Sequence, residues 1–277
     1  MHGANALRHA MRGRRATRHR LSWWALCCSL AFLLGRPALA PAQSVDVTAI
    51  ERVKPSIVAV GTFERLRNPE FRFIGTGFAV GDGSLIATNE HVVPAILDSE
   101  REETIAVAIR LSSSTVQIRS ARKVASEPSA DLALLKIGGP PLPPLRLGNS
   151  DRVREGEIYL FTGFPIGTVL GLIPATNRAM ISAITPIVIP AAHADQLNAR
   201  SIRRLAAGAY PVFQLDGTAY PGNSGSPLYD PRSQEVMGIV NMVFVKGTKE
   251  AALTNPSGIS YAIPAQGLKE LLSRVPQ

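Results

Sequence analysis

A succession of short runs rich in Val, Ile, Phe and Tyr, each stopped by Gly, Pro, Asn or Asp, sets the limits on how this chain folds. Such runs are too short for helices and have the composition of strands. They fall into two groups. The first holds "SIVAVGT" (56–62), "FRFIGTGFAV" (71–80), "SLIAT" (84–88), "TIAVAIRL" (104–111), "TVQIRSARKV" (115–124) and "LALLKI" (132–137). The second holds "EIYLFTG" (157–163), "VLGLI" (169–173), "AMISAITPIVI" (179–189), "PVFQL" (211–215), "SPLYD" (226–230), "EVMGIVNMVF" (235–244) and "GISYAI" (258–263). Between them "GGPPLPPLRLGNSD" (138–151) makes a stiff, non-helical crossing. Gly81-Asp82-Gly83 is a hairpin turn in waiting. The pattern predicts an all-β protein: two packed six-stranded β-barrels, over 43–140 and 141–264, closed by a short amphipathic helix over 265–277. Residues 191–208 carry the one mid-chain helical pattern.

The first 42 residues stand apart. Residues 1–20 contain six Arg and no acid, then comes "LSWWALCCSLAFLLG", then "RPALAPAQ". A basic head, a short apolar middle and small residues at the end read as a secretory signal peptide over 1–42, with cleavage near Gln43; a retained anchor is the alternative. Removal changes the charge argument. Seven of the 30 basic residues lie in this segment, leaving 23 against 21 acidic ones, so the net charge falls from +9 to +2. The basic balance of the whole chain is therefore no sign of nucleic acid. Cys27 and Cys28 leave as well, and with them any disulfide, thiol nucleophile or Cys-based metal site. No metal, no other cofactor and no stable membrane insertion after cleavage are expected. A periplasmic or secreted location is.

Of five histidines, only His91 and His193 lie beyond this segment. His91 follows an apolar strand in "IATNEHVV", where it can be fixed firmly and still face a cleft. Asp131 opens "DLALLKI", and a carboxylate there can accept from imidazole Nδ1 and fix the tautomer whose Nε2 takes a proton. Ser224 lies in "PGNSGSPLYD". Glycines at 222 and 225 permit a tight turn, and the N–H groups of Gly222 and Ser224 can then converge on a developing oxyanion. Each residue alone also has an ordinary reading: a surface histidine, a strand-entry aspartate, a chain reversal. The order His91, Asp131, Ser224 makes them specific together, because it excludes the subtilisin and α/β-hydrolase orders. His91 and Asp131 belong to the first strand group and Ser224 to the second, so the three are expected to meet between barrels.

"GTGFAV…IATNEHVV", "DLALLKI" and "QLDGTAYPGNSGSPLYD…VMGIVN…GISYAIP" resemble the trypsin-like serine peptidases, and within them the bacterial HtrA/Deg branch. The resemblance runs from about residue 55 to 265. It implies His91 as general base and acid, Asp131 as its orienter, Ser224 as nucleophile, and an oxyanion hole from the backbone of Gly222, Asn223 and Ser224. It implies serine endopeptidase activity on a protein or peptide substrate, whose extended chain pairs with the strand around Ile239, Val240, Asn241 and Met242. Three departures matter. Asn223 stands where digestive trypsins carry aspartate, so activation by a newly cut N-terminus is not expected. Ser226 replaces a glycine and is expected to fit, though it could narrow the cleft. Only 13 residues follow Pro264, so the PDZ domain usual in that branch is not expected. Thr218, six positions before Ser224, offers no acid to an Arg or Lys side chain and favours a small or medium apolar one. Residues 185–212 could form a lid. Two rivals stay open: a catalytically weak peptide-binding protein on the same scaffold, and a small-ester hydrolase. The oligomeric state is not readable.

Overall fold

The computed structural model describes residues 47–112, 114–167, 171–187, 210–241 and 259–275. These carry two closed β-barrels, as the strand pattern requires. The first is built from β1 (Ile57–Phe63), β2 (Phe71–Val80), β3 (Leu85–Asn89), β4 (Thr104–Arg110), β5 (Val116–Glu127) and β6 (Leu132–Ile137), in the order β1-β2-β3-β6-β5-β4. The second is built from β7 (Ile158–Gly163), β8 (Ala175–Ile187), β9 (Tyr210–Leu215), β10 (Pro227–Tyr229), β11 (Val236–Asn241) and β12 (Ser260–Pro264), in the order β10-β11-β12-β9-β8-β7. All pairings between these strands are antiparallel. Closure removes the open edges that a flat six-stranded sheet would expose.

β6 shows why the two barrels hold together. Side chains alternate across a strand with a period of two. Ala133 and Leu135 point into the first barrel beside Val58, Val60, Ile86 and Val107. Leu132 and Leu134 point outward, into a core shared with Leu160, Tyr229, Ile239 and Ile263 of the second barrel. "LALLKI" lacks polar alternation because both of its faces are buried. The second barrel has its own interior around Phe161, Ile181, Phe213, Leu215 and Val240. Both barrels lie in one compact unit, Val45–Gln277.

Among the described residues, two α-helices frame this body. α1 (Val47–Val53), absent from the strand pattern, buries Ala49 and Val53, one turn apart. α2 (Ala265–Ser273) buries Leu268 and Leu271 in the shared core, and Ser150 Oγ accepts from the Gln266 N–H at its start. The turn at 81–83 joins β2 to β3, with Gly81 and Gly83 both at positive φ.

One expectation changes. Residues 171–173 of the expected strand "VLGLI" are loop, and β8 begins only at Ala175. Gly171 and Leu172 sit at φ 74 and 50, outside the β region. Arg110 of β4 donates to both of their carbonyls. A contact from the other barrel thus overrides β-propensity. The expected helix at 191–208, His193 and most of the expected lid lie outside the described residues. The described flanks of that lid, 185–187 and 210–212, are paired strand.

The β1–β2 loop carries a charge cluster with a measurable consequence. Arg67 donates to Glu64, Glu103, the Thr62 carbonyl and the Glu70 carbonyl. The Thr62 hydroxyl first, then Arg67, the Asp98 N–H and Arg72, hold the Glu103 carboxyl down to about 2, from an ordinary 4.5. A depressed folded-state value stabilises the fold fully above the unfolded value, and that contribution is lost as pH falls from about 4.5 to 2. Glu103→Gln is expected to flatten the acid limb of urea-midpoint-versus-pH curves in that window. Parallel curves for mutant and wild type would contradict the assignment.

Candidate active site

β3 ends at Asn89, and a 3-10 turn over Glu90–Val92 presents His91. Asp131 sits one residue before β6, at φ 55, a left-handed conformation that aspartate tolerates better than most residues. β3 and β6 are paired neighbours, with Asn89 opposite Leu132. Residues forty positions apart therefore meet at one end of a two-strand ladder. His91 Nδ1 lies 2.7 Å from Asp131 Oδ2, and the His91 N–H donates to Oδ1 at 2.9 Å. The carboxylate grips both the ring and the backbone of the histidine. The Asp131 carbonyl accepts from the Glu90 N–H and from Asn89 Nδ2, which ties the two turns together. Asp131 is wholly buried, whereas the His91 side chain is 21% exposed. The ring is anchored on one edge and open on the other.

Ser224 stands on the turn between β9 and β10. Both flanking glycines are sterically required. Gly222 is at φ 103, and a Cβ there would collide with the Phe164 carbonyl oxygen; Gly225 is at φ 88, and a Cβ there would collide with the Thr76 carbonyl oxygen. The turn is pinned against the first barrel by the Thr76 N–H, which donates to the Ser224 carbonyl at 2.8 Å. A point one Cβ length above Gly75 is 2.8 Å from a Val92 methyl and 3.0 Å from the Ser224 carbonyl oxygen. The His91 turn and the Ser224 turn therefore flank Gly75. A link between the barrels also reaches the carboxylate: Asn241 Nδ2, at the end of β11, donates to Asp131 Oδ2 at 2.8 Å. No hydrogen bond joins Ser224 Oγ to His91 among the described residues. Such bonds are often long without substrate.

The turn's amides are unequal. Asn223 N–H donates to the Tyr220 carbonyl, Gly225 N–H to Val240 and Ser226 N–H to Asn223. The N–H groups of Gly222 and Ser224 have no acceptor among the described residues. Of the three backbone groups expected to form an anion hole, Asn223 spends its N–H inside the turn.

A two-barrel fold with an imidazole, a carboxylate and a serine turn at the seam is decided further by comparison: the trypsin-like peptidase domain family matches residues 75–239. The chain belongs to that family. It is 29% identical over 280 residues to a probable periplasmic DegP-like serine endoprotease of Ectopseudomonas mendocina (85% of this chain, 50% of the relative). It is 32% identical over 200 residues to a protein of the same description from Pseudomonas putida (72% of this chain, 34% of the relative). The chain thus spans half or less of these two curated relatives. The solved structure of the HtrA-type protease AlgW with tripeptide superposes with a TM-score of 0.58, at 27% identity, covering 83% of this chain and 62% of that one.

Of the residues expected to meet a substrate, Ile239 and Val240 are paired within the second barrel of this trypsin-like peptidase. Ile239 is paired on both edges, with Pro227 and Ile263, and its side chain lies in the shared core. Val240 exchanges hydrogen bonds with the Gly225–Ser226 turn, pairs with Ala262 and packs inside the second barrel. Neither has a free edge for a substrate. Asn241 is buried and donates to Asp131. Met242 lies outside the described residues. Thr218 is half-buried, between two residues tied by Ser260, whose Oγ accepts from Ala219 N–H and donates to the Gly217 carbonyl. Ser226 is fully buried. Its hydroxyl lies in the notch above Gly163, where a Cβ would collide with it. Thr76, Asn89 and Ser260 carry no sequence signal of their own, since serine, threonine and asparagine occur in every loop and their partners are distant in sequence.

Proposed function

We propose that this protein is an exported serine endopeptidase. His91 takes the Ser224 proton, the alkoxide attacks the scissile carbonyl, and Gly222 and Ser224 N–H groups receive the oxyanion. His91 then donates its proton to the leaving amine, and water releases the acyl-enzyme by the reverse sequence. Asp131 holds the imidazole with Nδ1 protonated and stabilises the imidazolium. The observation that carries the reading is the double grip of Asp131 on His91 at 2.7 and 2.9 Å, formed beside a turn with two free amides. Asn241 supports it by giving the buried carboxylate a further donor. The DegP-like names of the relatives favour peptide bonds over small esters. The basic, apolar and small-residue sequence of residues 1–42 supports export, and among the described residues no helix is long and apolar enough to cross a membrane.

Fluorophosphonate labelling followed by peptide mapping tests the reading. The probe is expected on Ser224 alone. Folded protein that stays unlabelled while binding peptides would select a binding protein instead. Thr218 supplies no counter-charge, so cut sites mapped in a denatured proteome are expected to follow small or medium apolar side chains. A majority of cuts after Arg or Lys would refute that preference.

A further inference from the structure

The first barrel reaches the Ser224 turn through one fully committed residue. Thr76 lies within β2 and is buried. Its N–H donates to the Ser224 carbonyl at 2.8 Å, and its carbonyl accepts from Thr88 Oγ1 at 2.7 Å. Its hydroxyl donates to the Gly222 carbonyl at 2.7 Å and accepts from the Phe164 N–H at 3.1 Å. Every polar group of the residue is used, and two of the four contacts fall on carbonyls of the turn.

The consequence follows from peptide planarity. In a trans peptide the carbonyl and the N–H point in opposite directions. Fixing a carbonyl therefore aims the N–H of the next residue. The Pro221 carbonyl accepts from Ile166 N–H, which turns Gly222 N–H the other way; the Asn223 carbonyl accepts from Ser226 N–H, which does the same for Ser224 N–H. The unit between them, Gly222–Asn223, sets the angle between the two free amides. Its N–H is held by the Tyr220 carbonyl and its oxygen by the Thr76 hydroxyl. The same hydroxyl holds Phe164, two residues before the Ile166 that fixes Pro221. One side chain thus governs the central peptide and steadies the loop that governs the first.

We infer that Thr76 is a positioning residue that holds the Gly222 and Ser224 amides convergent, so that the anion site is assembled only when the first barrel is docked. The inference rests on the endopeptidase reading for its catalytic consequence, and on geometry alone for its structural one. Thr76→Val keeps the shape and removes both hydroxyl bonds. It is expected to lower kcat on a peptide substrate about 10- to 100-fold, less than the roughly 10²–10³ of losing a hole donor itself, with KM within about twofold. Thr76→Ser, which restores the hydroxyl, is expected to stay within about threefold of wild type. Amide exchange over residues 221–225 is expected to quicken in Thr76→Val and not in Thr76→Ser. If Thr76→Val does not fold, Thr76→Ala against Thr76→Ser makes the same comparison at smaller volume. Wild-type kcat, or unchanged exchange at 221–225, in the hydroxyl-free variant would overturn the inference. Fluorophosphonate labelling of the wild type judges the endopeptidase reading separately. Were it negative, exchange would still decide whether Thr76 holds the turn.

Discussion

Ser224→Ala is expected to lower turnover of an unfolded protein substrate about a million-fold, the scale of losing the nucleophile from a residue set that acts as a unit. Folding is expected to survive the change. The Ser224 hydroxyl makes no hydrogen bond among the described residues, so no buried donor or acceptor is orphaned by removing it. Its carbonyl keeps the Thr76 N–H, and Gly225 N–H keeps the Val240 carbonyl. The measurements are kcat on casein and the thermal midpoint of the same preparation. A mutant that melts as wild type does and still cleaves casein at the wild-type rate would remove Ser224 from the mechanism.

Asp131→Asn is expected to cost about 10⁴-fold in kcat by favouring the wrong imidazole tautomer. Here the structure adds a structural cost. Oδ1 accepts from His91 N–H, and Oδ2 faces both His91 Nδ1 and Asn241 Nδ2. An asparagine must put its NH₂ on one side or the other. On the Oδ1 side it meets the His91 N–H donor. On the Oδ2 side it meets the Asn241 donor and forces Nδ1 to accept, so that Nε2 carries the proton and cannot act as base. Either placement sets donor against donor in a buried site, worth about 1–3 kcal/mol. A loss of kcat with a lowered urea midpoint is the expected pair of results. Wild-type kcat in folded Asp131→Asn would show that the carboxylate does not orient His91. Asn241→Ala, which removes the donor on the Oδ2 side, is the second half of a double-mutant cycle that would separate tautomer from desolvation.

Much of this was legible in the chain. "DLALLKI" has no polar alternation, and that alone asks for a strand buried on both faces, which β6 is. "GNSGS" asks for a turn that only glycine can make at two positions, and the collisions above Gly222 and Gly225 supply the reason. "VLGLI" misled because its composition favours a strand, while Arg110 from another element holds its carbonyls in a loop. Ile239 and Val240 are apolar and lie on a strand of the nucleophile's barrel, and the pairing of both their edges shows only in the fold. α1 was missed because seven residues give too few turns for a helical period to declare itself.

By itself the sequence determined the two barrels, the long crossing between them, and which imidazole, carboxylate and hydroxyl were candidates, because alternation, turn chemistry and scarcity of histidine are local or countable properties. Only the tertiary structure decided that Asp131 grips His91 twice, that Asn241 and Thr76 reach across the seam, and that Gly222 and Ser224 rather than Asn223 keep free amides. Those outcomes depend on hydrogen-bond directions between segments as many as 146 residues apart, which no local pattern encodes and which exist only once both barrels have packed on their shared core.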